Sequence, residues 1–221
     1  MSPKKITVFL SEDHLIVRKG LKALIELEED MLVVGEAENG LDAVKMVKSL
    51  APKIVVMDIA LPKLNGIEAS RKILKDNPAI KILVLSAYAD DGYIEKMTSI
   101  GVSGFLIKQC SPNILIDAIR EISKGNVFFS PLISKRINHL SSSSTKKTQN
   151  LSEREVQVLQ LIAEGKANKE VAFELGISIK TIEKHRQSLM KKLSIHDIAG
   201  LTRYAIAEGI IECSISKKNF V

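Results

Sequence analysis

The 221-residue sequence predicts an α/β domain built on a parallel sheet, followed by a small all-α domain. Three observations lead there. Between residues 6 and 124, five short apolar runs alternate with five longer stretches of helical period, the rhythm of repeated βα units. Runs such as Val-Val-Met at 55–57 and Ile-Leu-Val-Leu at 82–85 are apolar without alternation, as in strands covered on both faces. Beyond a polar segment at 141–150, every segment reads helical. Five βα units of this size fit a doubly wound, flavodoxin-like (βα)5 fold with a five-stranded sheet.

The expected strands lie at 6–10, 31–37, 54–57, 80–85 and 105–107, and the expected helices at 14–27, 41–50, 67–76, 92–99 and 112–124. Ser130-Pro131 reads as a helix cap with proline at the first position, opening a short helix to about residue 140. Residues 141–150, Ser-Ser-Ser-Ser-Thr-Lys-Lys-Thr-Gln-Asn, contain no apolar side chain and read as a flexible linker. Ser152 and Glu155 then form a capping box, and Val156, Leu159, Ile162 and Ala163 make an apolar stripe behind it. Residues 168–175 read as a helix. Gly176 follows as a left-handed C-cap and Ser178 as the next N-cap, and a second helix runs over 179–192. Two helices joined by so short a Gly-containing turn suit a helix-turn-helix. The second has an apolar stripe, Ile179, Ile182, Leu189 and Leu193, expected to face the core, and an outer face of Lys180, Glu183, Lys184, Gln187 and Lys191. The expected division is a first domain at 1–128, a linker with a possible short helix at 129–149, a second domain at 150–213 and a tail at 214–221.

The net charge of +6 is unevenly placed. Residues 1–130 carry equal numbers of basic and acidic side chains, 131–150 carry four basic and no acidic ones, and 151–221 carry 11 and 9. Positive charge gathered in the rear of the chain hints at nucleic acid. The two cysteines, Cys110 and Cys213, stand in no metal-binding spacing and point to a reducing compartment. No apolar run approaches the length of a membrane span, and the N-terminus lacks a signal-peptide core, so a cytoplasmic protein is expected.

In an open parallel sheet, ligands bind beyond the carboxyl ends of the strands. The polar residues there are Glu12 and Asp13 after the first strand, Asp58 after the third, Ser86 at the end of the fourth and Lys108 after the fifth. In this topology those strands are neighbours, so the five residues converge. Three carboxylates together repel one another unless a cation neutralises them, and all-oxygen ligands suit Mg²⁺. With Lys108 and the Ser86 hydroxyl near, a metal-bound carboxylate can accept a phosphoryl group, and Asp58 is central because its strand is.

These residues sit in segments that resemble the signature segments of receiver domains: Leu-Ser-Glu-Asp-His at 10–14, Val-Met-Asp-Ile-Ala-Leu-Pro-Lys-Leu-Asn-Gly at 56–66, Val-Leu-Ser-Ala-Tyr at 84–88 and Gly-Phe-Leu-Ile-Lys at 104–108. The resemblance spans residues 4–124. It implies that Asp58 takes phosphate from a sensor histidine kinase. It further implies that Glu12, Asp13, Asp58 and the carbonyl of Ala60 hold Mg²⁺, and that Ser86 and Lys108 contact the phosphoryl group. Phe105 stands where the family has a switch aromatic that moves inward when the hydroxyl residue is drawn to phosphate. Gln109 follows the lysine where many receivers have proline, and a cis bond there is costly without one.

The rear domain resembles the LuxR-type DNA-binding domain over residues 151–211. The resemblance rests on Leu-Ser-Glu-Arg-Glu at 151–155, Ile-Ala-Glu-Gly-Lys-Ala-Asn-Lys-Glu-Val-Ala at 162–172, Gly-Ile-Ser-Ile-Lys-Thr-Ile-Glu-Lys-His at 176–185 and Met-Lys-Lys-Leu-Ser at 190–194. Joined, the two halves are similar to NarL/FixJ response regulators throughout. The resemblance implies that Glu183, Lys184 and Gln187 read bases of double-stranded DNA, that Lys180, Thr181, His185 and Arg186 lie near its backbone, and that the helix at 198–208 pairs two such domains. Phosphorylation is then expected to promote a homodimer and DNA binding, with no membrane involved and no turnover of an external substrate.

Other functions are weighed against it. A phosphatase with an aspartyl-phosphate intermediate needs a second acid near the nucleophile, and Ala60 stands at that place. A nucleotide-binding protein lacks its Gly-rich loop after the first strand. A protein adaptor would leave the basic outer face of the helix at 179–192 without a role.

Overall fold

The computed structural model describes residues 5–87, 91–140 and 151–211, in a chain that divides into two compact units, 1–145 and 146–221. Cys213 and the tail at 214–221, and residues 141–150 of the expected linker and second domain, lie outside the described residues. No described helix is long and apolar enough to cross a membrane.

The first unit alternates β1 (Ile6–Ser11), α1 (Leu15–Glu26), β2 (Met31–Ala37), α2 (Gly40–Leu50), β3 (Ile54–Met57), α3 (Gly66–Asp76), β4 (Lys81–Ser86), α4 (Asp91–Ile100), β5 (Gly104–Ile107) and α5 (Pro112–Ser123), then adds β6 (Phe128–Phe129) and α6 (Pro131–Leu140). Every strand pair is parallel, in the order β2-β1-β3-β4-β5-β6. Successive strand residues point to opposite faces, and here both faces are apolar. Val8, Leu10, Ile54, Val56, Leu83, Leu85 and Leu106 enter one buried cluster with Ile25 of α1 and Leu115, Ile119 and Ile122 of α5. Phe9, Val55, Met57, Ile82, Val84 and Phe105 enter the other, with α2, α3 and α4. Arg120 of α5 donates to both carboxylate oxygens of Asp30 at 2.9 Å and so ties α5 to the turn between α1 and β2.

The sheet has six strands where the sequence reading expected five. Phe128 and Phe129 pair with Gly104 and Phe105. Residues 128–140 therefore extend the first unit past the expected boundary at 128: Ile133 of α6 is fully buried in the cluster that contains Phe105, Tyr93, Ile94 and Met97. A two-residue strand has no periodicity to read, and its residues owe their conformation to the β5 edge.

The second unit holds α7 (Glu153–Ala163), α8 (Asn168–Leu175), α9 (Ile179–Leu193) and α10 (Ile198–Ala207). The α7 helix is buried well beyond the expected stripe: Val158, Leu159, Leu161 and Ile162 lie in the core, and Gln157 and Gln160 are buried as well. On α9, Ile182, Leu189 and Leu193 are buried as expected, but Ile179 is 45% exposed. It follows the cap Ser178 directly, so its turn projects past the core. Gly176 takes the left-handed conformation at φ 63°, and Ser178 accepts the Thr181 N–H at 3.1 Å, which sets the turn between α8 and α9. Glu155 locks α7 onto α9. Its carboxylate receives the Ser152 N–H at 2.8 Å, the Ser188 hydroxyl at 2.7 Å and the Lys192 ammonium at 2.7 Å. Burial opposes its charge, but Lys192 and the Ser152 and Ser188 donors outweigh burial and hold the carboxyl down at about 2.

Two predictions follow from the packing. A Cβ on Gly66 would lie 1.9 Å from the Asp58 carbonyl oxygen, whereas one on Gly20, in α1, meets nothing within 4 Å. In thermal unfolding, Gly66→Ala should lose roughly 2 kcal/mol or more, and Gly20→Ala should gain up to about 1 kcal/mol through helix propensity. Because the folded pKa of Glu155 lies below the unfolded one, its stabilisation is full above pH 4.5 and lost as the pH falls through about 2. Glu155→Gln should therefore cost roughly 2–3 kcal/mol at pH 7, a difference from wild type that closes as melts are repeated toward pH 2.

Candidate functional site

Strand register brings the expected pocket together. Ser11 pairs with Met57, Met57 with Val84, and Ser86 with Ile107, so Glu12, Asp58 and Lys108 follow at one edge of the sheet. The main chain holds them there beyond the strands. The Glu12 N–H donates to Ala37 at 3.0 Å, the Asp58 N–H to Ser11 at 2.9 Å and the Lys108 N–H to Ser86 at 2.8 Å. Gly66 donates to the Ile59 carbonyl at 2.8 Å and Asn65 caps α3, which folds the loop after Asp58 back under the pocket.

The side chains form a charged cluster with little solvent. Glu12 and Asp58 are only 2% and 1% exposed. The Lys108 ammonium lies 2.8 Å from Asp58 Oδ2 and 2.8 Å from Glu12 Oε2. Ligand atoms of Glu12, Asp13, His14 and Asp58 lie within 4.8 Å of one another. Burial, with the Glu12 charge, pushes the Asp58 carboxyl above its usual range against the opposing pull of Lys108. Burial also works against the charge of Lys108, but Asp58 and Glu12 outweigh it and hold the ammonium above its usual range. Two of the three carboxylates thus share one lysine, while Asp13 faces His14. Asp13 Oδ1 is buried with no hydrogen-bond partner: His14 Nδ1, 2.9 Å away, lies off the hydrogen-bonding direction and meets Glu12 Oε1 at 3.0 Å. An orphaned carboxylate oxygen beside two buried carboxylates is a donor set that fits a hard dication.

The other expected residues adjoin this cluster. The Ala60 N–H reaches Asp58 Oδ1 at 3.4 Å. Ser86 is fully buried at the end of β4. Phe105 is also fully buried, in the core cluster that contains Tyr93, Ile94, Met97 and Ile133. The bond from Lys108 to Gln109 is trans, like every peptide bond described.

On α9, Lys180, Glu183, Lys184 and Gln187 are exposed, and Thr181, His185 and Arg186 are half-buried. Arg186 is held against α8 by a bond from Nη1 to Asn168 Oδ1 at 3.2 Å. The exposed four lie at one helical spacing, and Lys191 continues the basic face.

Two residues escaped the sequence reading. His14 had the composition signal of a ligand, but stood inside a quoted motif without a role. Arg18 had no signal beyond a basic residue on an otherwise apolar helical stretch, yet it is 9% exposed and bonds the Glu12 carbonyl at 2.6 Å.

Residues 8–120 match the family model of the response regulator receiver domain, and residues 149–205 match that of the bacterial regulatory proteins of the luxR family. The chain is 35% identical over 207 residues to the transcriptional regulatory protein YdfI of Bacillus subtilis, covering 92% of this chain and 97% of that one. It is 31% identical to the response regulator protein VraR of Staphylococcus aureus, covering 94% and 99%. RcsB of Salmonella enterica serovar Typhimurium, solved bound to a promoter in the presence of the phosphomimetic BeF3−, is similar with a TM-score of 0.60 at 28% identity, over 94% of this chain and 100% of that one. With both family models matched in this order and full-length relatives that are regulators rather than enzymes, the chain belongs to the response regulators of the NarL/FixJ type, a receiver domain followed by a LuxR-type regulatory domain.

Proposed function

We propose that the chain is a DNA-binding transcription regulator of a two-component system, controlled by phosphoryl transfer from a sensor histidine kinase to Asp58. The observation that carries this is the Lys108 ammonium, 2.8 Å from both Asp58 and Glu12 in a pocket with three carboxylates. Glu12, Asp13, Asp58 and the Ala60 carbonyl would hold Mg²⁺, which offsets the charge on the transferring oxygens when bound. Asp58 supplies the attacking carboxylate oxygen. A new P–O bond forms as the P–N bond of the phosphohistidine breaks, and the imidazole leaves with the bonding pair. Lys108 is positioned to pair with a phosphoryl oxygen, and the Ser86 hydroxyl to donate to another.

The way outward runs through the cluster that holds Phe105, Tyr93, Ile94, Met97 and Ile133. A shift of Ser86 or Phe105 would be felt by α4 and by α6, whose C-terminal end leads in sequence to residues 141–150. For the second unit, the exposed Lys180, Glu183, Lys184 and Gln187 support α9 as the helix that enters the major groove. Glu183, Lys184 and Gln187 would read bases, with Glu183 suited to accept from a cytosine amino group. Lys180, Thr181, His185 and Arg186 would face the phosphates. Ile198, half exposed at the start of α10, supports that helix as the pairing surface of two bound domains. The likeness to RcsB, a protein solved on promoter DNA with a phosphomimetic, supports both halves of the reading.

Incubated with Mg²⁺ and a small phosphoramidate, the wild type should gain one phosphoryl group by intact mass and Asp58→Asn none; an equal adduct on both would remove Asp58 from its role. On double-stranded DNA, Lys180→Ala and Arg186→Ala should each reduce the slope of log affinity against log salt by about one. Unchanged slopes in both would take α9 out of the interface.

A further inference from the structure

Arg18 lies on the first turns of α1, yet its side chain runs inward beneath the loop that joins β1 to α1. Its guanidinium spans two elements. Nη1 donates to the main-chain carbonyl of Glu12 at 2.6 Å and to that of Asp13 at 3.4 Å. Nε lies 3.5 Å from Glu36 Oε2 on β2, and Nη2 lies 3.8 Å from Glu38 Oε2. The fork therefore fastens the backbone of both consecutive acidic residues to the neighbouring strand and its following turn.

We propose that Arg18 is a positioning residue for the cation of the acidic pocket, an inference that rests on reading that pocket as a Mg²⁺ site. Glu12 and Asp13 are adjacent in sequence and their carboxylates repel. Glu12 is restrained by Lys108 and His14, but Asp13 Oδ1 has no hydrogen-bond donor to orient it. Its neighbour His14, 2.9 Å away, is exposed and out of hydrogen-bonding line, so the direction of Asp13 depends on its main chain, which Arg18 bonds. A lysine cannot do the same, because its one nitrogen cannot stand both where Nη1 meets the two carbonyls and where Nε faces Glu36. Glu36 also receives Lys19 at 3.2 Å and Lys22 at 2.9 Å, so it keeps cationic partners when Arg18 is replaced, and the damage falls on the loop.

Charge and position make opposite predictions. As a buried cation near the pocket, Arg18 disfavours a dication, so a purely electrostatic role makes Arg18→Gln bind Mg²⁺ more tightly. As a positioning residue, its loss weakens binding, and the loss is the same in kind for Arg18→Lys, which keeps the charge. Calorimetric titration of Mg²⁺ into the full chain, with melts in chelator to verify folding, separates them. Arg18→Lys and Arg18→Gln should each weaken Mg²⁺ by about tenfold or more, the usual effect of losing a group that orients a ligand. Lys19→Gln, which loses contact with Glu36 but none with the loop, should stay within twofold of wild type. The Mg²⁺ concentration for half-maximal reaction with phosphoramidate should rise in step. Arg18→Lys within twofold of wild type, or tighter binding by Arg18→Gln, overturns the inference alone. Absence of Mg²⁺ binding by wild type overturns the reading of the pocket and this inference with it.

Discussion

Three carboxylates and one ammonium, set where four parallel strands end, are the constraint on which the rest of the first unit depends. Like charges at this distance and burial repel strongly, and a single lysine does not balance them. Only a rigid frame can hold such a cluster. It is supplied by a sheet apolar on both faces, by backbone bonds that continue the ladder past the strand ends, and by Gly66, whose missing side chain lets α3 close against the Asp58 carbonyl. On the proposed reading, the pocket stores an unfavourable charge balance that a dication and an incoming phosphoryl group would change in opposite senses. That would be the physical content of a switch.

The second unit meets a different demand. Its four helices must bury one face of α9 while leaving the basic face open. They do so around α7, which is buried nearly all round, and through Glu155, whose carboxylate joins the start of α7 to the last turns of α9. The polar lock fixes where α9 begins and ends. Exposure of Lys180, Glu183, Lys184 and Gln187 is then a consequence of the core positions of Ile182, Leu189 and Leu193.

Much of this was legible in the sequence because it follows from periodicity and strand ends. The five main strands and their helices fall within a residue or so of the expected bounds, and Glu12, Asp58 and Lys108 meet because parallel strands put their carboxyl ends together. What was not legible depends on neighbours distant in sequence. Phe128 and Phe129 form a strand only because the β5 edge is there, and α6 belongs to the first unit because Ile133 finds a place beside α4. Ile179 fits the apolar stripe by spacing but lies a turn beyond the core. The burial of Phe105 follows from its place in an apolar strand, but the inward course of Arg18 is a tertiary fact with no local signature.

The central claim is that the pocket is electrostatically unfavourable until a dication enters it, and the most direct measurement is thermal unfolding of wild type and Asp58→Asn in chelator and in Mg²⁺. Asp58 has a folded pKa above its usual value, so its ionised form lowers stability at neutral pH, a cost relieved as the pH falls through the folded pKa. Asparagine removes that charge, and Lys108 keeps Glu12 as a partner. The account predicts that Asp58→Asn melts higher than wild type in chelator, and that Mg²⁺ raises the wild-type midpoint more than that of the variant. A variant that melts lower than wild type in chelator, with equal Mg²⁺ shifts in both proteins, would contradict it.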